Sequence, residues 1–256
     1  RLIFILLKWL YRAALNHPNI KVIFQNQDDC KTIINISGIN KKNVTVINGS
    51  GVDLSKYTPT KVSVDRPIVM MASRLLIDKG VRDFVDASRR VDRGYTKTRF
   101  VLVGEPDPEN PSSIFKEEIE KWVAEGIIEW WGYRDDMHLV LTRSYMVVLP
   151  SYREGLPKIL SEAAACGRAV VTTDVPGCRD SILPNRTGIL VPTRDADSLA
   201  KAIETLLNDP ALCQMMGVEG RKLAEKYFDE KAIVDKQIFI YEELLTSHRL
   251  QFEKLK

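Results

Sequence analysis

Short, unbroken apolar runs separated by helix-length amphipathic segments constrain this chain more than any other feature. Ile68-Val69-Met70-Met71-Ala72, Phe100-Val101-Leu102-Val103, Tyr145-Met146-Val147-Val148-Leu149 and Ala169-Val170-Val171-Thr172-Thr173 show no apolar/polar alternation. A strand that is apolar on successive residues is covered on both faces, as in parallel sheets flanked by helices. Helical patterns fill the intervals, over Asp78 to Val91, Ile114 to Ala124 and Asp136 to Arg143. Gly188 to Pro192 predicts a last strand, with helices over Asp197–Leu207, Ala211–Lys226 and Glu230 to about His248. Regular β then α order predicts right-handed crossovers and a doubly wound, Rossmann-like α/β sheet, with ligands bound beyond the carboxyl ends of its strands.

Ahead of this pattern stands a different run. Residues 1 to 15 read as a helix ending at the turn cluster Asn16-His17-Pro18-Asn19. A strand at Lys21–Gln25 follows, then a helix capped by Asp28 or Asp29, closed at Ser37-Gly38, and a strand at Val44–Ile47. We read residues 1–52 as the tail of a preceding α/β domain with its crossover, 53–66 as a linker and 67–228 as the main domain. Residues 229–256 read as a closing helix.

Within the main domain, Ser151 to Ala165 joins two strands through a loop and a helix. Proline is tolerated in a first helical turn, where its missing N–H has no partner, so the helix starts near Leu156-Pro157. Glu154 then sits in the loop, and Glu162 about two turns along a helix whose other face carries Ile159, Leu160, Ala163 and Ala164. The free N–H groups of Gly155 and Leu156, with the helix dipole, favour anions or hydroxyl oxygens. Two carboxylates beside a donor-rich helix end suit a ligand with many hydroxyls, such as a sugar nucleotide. Ser73 to Gly80, after the first strand of the main domain, carries Arg74 and Lys79 where such sheets present phosphate sites. A helix end contributes about 0.3 to 1 kcal/mol, whereas micromolar to millimolar binding needs roughly 4 to 8 kcal/mol. Two cations donating charge-assisted hydrogen bonds of about 1.5 to 3 kcal/mol each supply much of the difference.

Composition excludes several classes. With 37 basic and 34 acidic residues the net charge is +3, too balanced for a nucleic-acid surface. The four cysteines, Cys30, Cys166, Cys178 and Cys213, lie far apart and only three histidines occur, which argues against a zinc site or disulfide framework and for a reducing compartment. Leu2 to Tyr11 is apolar for about half the roughly 20 residues that a membrane span requires, and reads as a packed helix, with interfacial membrane contact the second reading. Asp195-Ala196-Asp197 has metal-binding spacing but directly precedes a helix, which makes it a cap. Glu105 to Pro111 is either a plain connector or part of an acceptor mouth.

Glu154-Gly155-Leu156-Pro157 through Glu162-Ala163, Arg74-Leu75 with Lys79-Gly80, and Asn48-Gly49 with Gly51-Val52-Asp53 together resemble the retaining, nucleotide-sugar-dependent glycosyltransferases of family 4, which have the GT-B fold. In this likeness Ser50 is an insertion in the Asn-Gly-Val-Asp turn, and Asp180 stands where a glutamate is more usual. The resemblance implies that residues 1–52 end an amino-terminal acceptor domain, that the main domain binds the donor and that the helix of 229–256 returns toward the amino-terminal domain. It places Arg74 and Lys79 on the donor diphosphate, Glu154 on sugar hydroxyls, Gly155 and Leu156 on phosphate or hydroxyl oxygens, and Glu162 on the ribose diol. Trp131-Gly132-Tyr133-Arg134 occupies the strand exit where the family holds the base; Tyr133 and Arg134 are either base contacts or packing residues. The implied reaction moves a sugar, with retained configuration, from a nucleoside diphosphate, expected to be UDP, to a lipid-linked or oligosaccharide acceptor in cell-surface glycan assembly. No metal or other cofactor is expected, and the expected location is cytoplasmic, with peripheral contact at the inner membrane face. Two alternatives stand beside it: a nucleotide-sugar-binding module that does not catalyse alone, and a sugar-nucleotide 2-epimerase.

Overall fold

The computed structural model of the protein describes residues 2–61, 64–91 and 97–253. Arg1, residues 62 and 63 of the expected linker, and 254–256 of the closing segment lie outside these. The main sheet is built from β3 (Ile68–Ala72), β4 (Arg99–Val103), β5 (Glu129–Trp130), β6 (Met146–Leu149), β7 (Ala169–Thr173) and β8 (Gly188–Val191). Its order among the described residues is β5-β4-β3-β6-β7-β8, and every pairing is parallel. All residues of β3, β6 and β7 are buried, as their unbroken apolar runs require. Helices α3 (Val81–Arg90), α4 (Lys116–Ala124), α5 (Met137–Thr142), α6 (Lys158–Ala165), α7 (Ala196–Asn208) and α8 (Pro210–Tyr227) make the crossovers and cover the sheet.

Topology, more than any single residue, locates the site. The chain runs outward from β3 through β4 to β5, then returns to place β6 on the other side of β3, with Val69 opposite Met146. At such a reversal of strand order a crevice opens at the carboxyl ends of the strands. This is the α/β sheet expected from the apolar pattern.

Four local expectations change. The helix expected from Asp78 is a 3-10 turn, Ile77–Lys79, followed by α3 from Val81. Gly80 separates the two at φ 73°, where a Cβ would come within 2.1 Å of the Pro150 carbonyl oxygen. Only glycine allows that left-handed bend and the close approach of the β6 exit. The second helix, α2 (Gln27–Ser37), is capped by Asn26 rather than by Asp28 or Asp29, which fall in its first turn. The third change concerns the linker: residues 53–61 lie docked on the domain. Leu54 and Tyr57 pack against Val52, Ala164, Ala165 and Leu223, while Arg221 donates to the carbonyls of Tyr57 at 2.7 Å and Ala165 at 2.8 Å. Arg168, fully buried, donates to the carbonyls of Leu141 at 3.0 Å, Thr60 at 2.9 Å and Thr142 at 3.0 Å, and to the Thr60 hydroxyl. A linker read from proline and polarity alone is thus held by the buried guanidinium of Arg168 and the half-buried one of Arg221.

The fourth concerns α1 (Leu2–Leu15), expected to be packed. It sits beside α2, yet Ile3, Phe4, Ile5, Leu6, Trp9 and Leu10 remain exposed. Among the described residues no helix is long and apolar enough to cross a membrane. Strands β1 (Val22–Phe24) and β2 (Val44–Val46) pair in a separate parallel ladder. The last helix, α9 (Glu230–Glu253), returns to them: Glu230 donates to the Val52 carbonyl at 3.1 Å, and Ile233 and Ile240 pack on Ile47 and Ile23.

Arg168→Ala would remove a fully buried side chain together with its four hydrogen bonds to Leu141, Thr60 and Thr142, a bond from a charged donor being worth about 1.5 to 3 kcal/mol. We expect it to destabilise the domain by roughly 3 kcal/mol or more, with Arg168→Lys recovering only part because an ammonium cannot span the same fork. Urea titration followed by tryptophan fluorescence measures this, and parental midpoints for both variants would show that the guanidinium does not hold the linker.

Candidate functional site: a cavity at the strand-order switch

Arg74 leaves the end of β3 with its side chain 66% exposed and reaches Asp107 at 3.5 Å. It borders a cavity of about 430 Å³ whose wall also includes Gly104, Asp107, Tyr133, Arg134 and Glu162. The loop after β4 forms one side through Glu105, Pro106, Asp107 and Pro108, so the proline-rich connector is a wall of the site. Gly104, at φ 124°, lets this loop run against the β3 exit; a Cβ there would meet the Ser73 carbonyl oxygen at 1.9 Å.

Lys79 and Glu154, which come from the exits of β3 and β6, meet directly. Lys79 Nζ donates to Glu154 Oε1 at 2.6 Å and Ser151 Oγ donates to the same oxygen at 2.8 Å. Both side chains are largely buried, at 20% and 11% exposure, where a charge-assisted bond is screened little by water. Glu154 Oε2 has no partner among the described residues and remains available to a hydroxyl. Tyr152 N donates to Asp78 O at 2.9 Å, which clamps the two loops together beside the pair.

Glu162 lies on α6 with its carboxyl largely buried. Burial pushes its pKa above the usual carboxylate value; the Tyr57 hydroxyl and the Lys158 ammonium, 4.0 Å away, pull it the other way. Burial is also the main reason that the Tyr57 phenol is raised, with Glu162 next. Gly155 and Leu156 precede α6, and neither N–H has an acceptor among the described residues. All four cysteines are free and buried, and burial pushes Cys166, Cys178 and Cys213 up to about 11, which leaves them protonated and inert.

The six expected residues Arg74, Lys79, Glu154, Gly155, Leu156 and Glu162 thus all lie on the carboxyl edge of the sheet. Arg74 and Glu162 share the cavity, while Lys79 and Glu154 neutralise each other one loop away. Tyr133, 70% exposed, belongs to the cavity wall rather than to the core. Arg134 also borders the cavity, but its guanidinium is engaged by Asp136 through two bonds of 2.7 and 2.6 Å. Asp195 caps α7 as expected, accepting from Ser198 N at 2.9 Å, and Asp197 is paired with Arg90 at 2.8 Å. Asp180 accepts from Gly177 N at 3.3 Å. Among the described residues no cluster of histidine, cysteine and carboxylate side chains could hold a metal ion.

Three contributors were missed from sequence. In the sequence Ser151 is only the start of the loop, Tyr57 falls in the linker, and Asp28 or Asp29 stands as the expected cap, although the spacing of Asn26 to Asp29 is that of an N-cap.

Residues 66–209, more than half of the chain, match the family described as Glycosyl transferases group 1, and the chain belongs to that family. It is 30% identical over 249 residues to the N,N'-diacetylbacillosaminyl-diphospho-undecaprenol alpha-1,3-N-acetylgalactosaminyltransferase of Campylobacter jejuni, a match that covers 92% of this chain and 63% of the relative. It is 26% identical over 186 residues to the capsular polysaccharide biosynthesis glycosyltransferase CapM of Staphylococcus aureus, covering 72% of this chain and 48% of that protein. Among solved structures, the sucrose-phosphate synthase of Thermosynechococcus elongatus superimposes with a TM-score of 0.81 at 26% identity, over 94% of this chain and 62% of that one. Anabaena HepE, solved in complex with UDP, gives 0.79 at 21% identity over 94% and 68%. The fold is accordingly of the GT-B glycosyltransferase type. The chain spans roughly half to two thirds of the length of these curated relatives.

Burial of Glu162 makes a signed prediction. A carboxyl whose pKa is raised by folding stabilises below its unfolded pKa and loses that contribution as pH rises through the folded value. Glu162→Gln should therefore melt higher than the parent at pH 7, with the difference vanishing near pH 4, in paired thermal scans. A lower melting temperature at pH 7 would show the ionised carboxylate to be well solvated or fully paired.

Proposed function

We propose that the complete protein is a retaining glycosyltransferase that moves a sugar from a nucleoside diphosphate, UDP being the favoured nucleotide, to a lipid-linked or saccharide acceptor. One observation carries the reading: Arg74 and Glu162 line a single cavity at the strand-order switch, and the Lys79–Glu154 pair closes the adjoining loops. The names of the Campylobacter and Staphylococcus relatives support the reaction class and a lipid-linked or saccharide product. They do not favour the epimerase alternative. HepE's complex with UDP supports the nucleotide.

In this reading residues 67–228 bind the donor and residues 1–52 belong to the acceptor half. Glu162 accepts two hydrogen bonds from the ribose diol, which suits a carboxylate with two oxygens. Arg74 and Lys79 face the diphosphate and stabilise the charge that grows on it as the glycosidic bond breaks. Phosphate takes Lys79 from Glu154, whose carboxylate then turns to the donor sugar hydroxyls. Free N–H groups at Gly155 and Leu156 add donors at the start of α6. Return of the acceptor to the same face of the sugar, with the leaving phosphate removing its proton, retains configuration. Positive charge comes from side chains in this proposal, so chelation with EDTA should leave the transfer rate unchanged.

The test uses the full-length protein, UDP-linked hexoses and N-acetylhexosamines, and polyprenyl diphosphate-linked acceptors. UDP release should depend on acceptor, and Glu154→Ala should abolish it. Arg74→Ala should weaken UDP binding roughly ten- to hundredfold in calorimetry, the loss of one or two charge-assisted contacts. Unchanged UDP affinity in that variant would remove Arg74 from the phosphate site, and full turnover in Glu154→Ala would remove Glu154 from the reaction.

A further inference from the structure

The Gly155–Leu156 peptide is gripped from outside the main sheet. Asn26 is almost fully buried, and every polar site of its amide is used. Oδ1 accepts from Asp29 N at 2.7 Å, while Nδ2 donates to Asp29 Oδ2 and to the Gly155 carbonyl oxygen, both at 2.8 Å. Because Oδ1 must face an N–H and Nδ2 two oxygens, only this orientation of the amide satisfies all three partners. The carbonyl and N–H of a trans peptide point in opposite directions, so holding Gly155 O aims the Leu156 N–H away from α2.

The surrounding backbone reinforces the grip. A Cβ on Gly155 would lie 2.7 Å from Gln25 Oε1, and one on Gly49 would lie 2.5 Å from Leu156 Cδ2. From the far side Gly177, at φ 80°, passes so close that its Cβ would come within 2.4 Å of the Gly155 carbonyl oxygen. Two ion pairs flank the contact, Arg179 with Asp28 at 3.3 Å and Arg153 with Asp29 at 3.9 Å.

We infer that Asn26 is a positioning residue for transfer: its amide holds the Gly155 carbonyl so that the donors at the start of α6 stay aimed at the sugar end of the site. The inference rests on the proposed function, since it assigns those donors to the donor substrate. Preorganised donors contribute most where charge develops, so misaiming them lowers turnover more than nucleotide affinity, which in the proposed function is set at Arg74, Lys79 and Glu162. The consequence is that a residue of the first 52 governs the geometry of a loop in the donor-binding part.

Asn26→Ser and Asn26→Asp both keep an oxygen to cap α2, and both lose the amide donor. In the full-length protein we expect kcat to fall about tenfold in Asn26→Ser and further in Asn26→Asp, whose carboxylate faces the carbonyl. UDP affinity in calorimetry should stay within about twofold. The activity of Asn26→Asp relative to the parent should recover as pH falls, because a protonated carboxyl can donate again. Parental kcat in both variants overturns the inference, as does loss of UDP affinity in proportion to kcat, which marks general damage to the fold. If the parent itself binds UDP without transferring any of the sugars tried, the proposed function fails rather than the positioning geometry. Amide hydrogen exchange over residues 153–160 then decides the latter: faster exchange in Asn26→Ser supports it and parental exchange overturns it.

Discussion

The parallel pairing of β3 with β6 is the constraint on which the rest of the structure depends. Because β4 and β5 are laid down on one side of β3 before β6 arrives on the other, the strand order reverses at the middle of the sheet. The candidate site is arranged around that reversal, with the exits of β4 and β5 supplying the cavity's other wall. Arg74 and Lys79 ride on one exit, Ser151 and Glu154 on the other, and α6 carries Glu162 back along the gap. Gly80 is the point of closest approach, where the β6 exit passes too near for any side chain.

Charge at this crevice is arranged in two tiers. At the cavity, Arg74 is mostly exposed and only loosely paired with Asp107, while Glu162 is sheltered and biased toward its neutral form. One loop away, Lys79 and Glu154 are tightly paired and sheltered. Charges kept in opposite-sign pairs at a dry rim cost the fold less than isolated ones would. In the proposed reaction this pair is exchanged for a phosphate at Lys79 and a sugar hydroxyl at Glu154.

Much of the architecture was legible because it rests on local pattern. Continuous apolar runs such as Ile68–Ala72 and Ala169–Thr173 demanded burial on both faces, and they became interior strands. Asp195 capped α7 as its position before Ser198-Leu199-Ala200 required. Other features depended on partners distant in the chain. Proline and polar residues made 53–61 resemble a free linker, but Arg168 and Arg221 reach it across more than a hundred residues, which no local signal announces. The apolar stretch at the start was expected to be packed, yet α1 keeps most of its large side chains exposed among the described residues.

The sequence by itself determined the class of fold, the family and the residue types brought to the ends of the strands, because hydrophobic period, glycine placement and motif spacing act over a few residues. Only the tertiary structure decided which of those residues meet: that Lys79 grips Glu154, that Arg74 and Glu162 share a cavity while Arg134 is taken by Asp136, and that Asn26 holds a carbonyl 129 positions away. Such pairings follow from the path of the chain through the sheet, which brings together groups whose separation along the sequence carries no periodic trace.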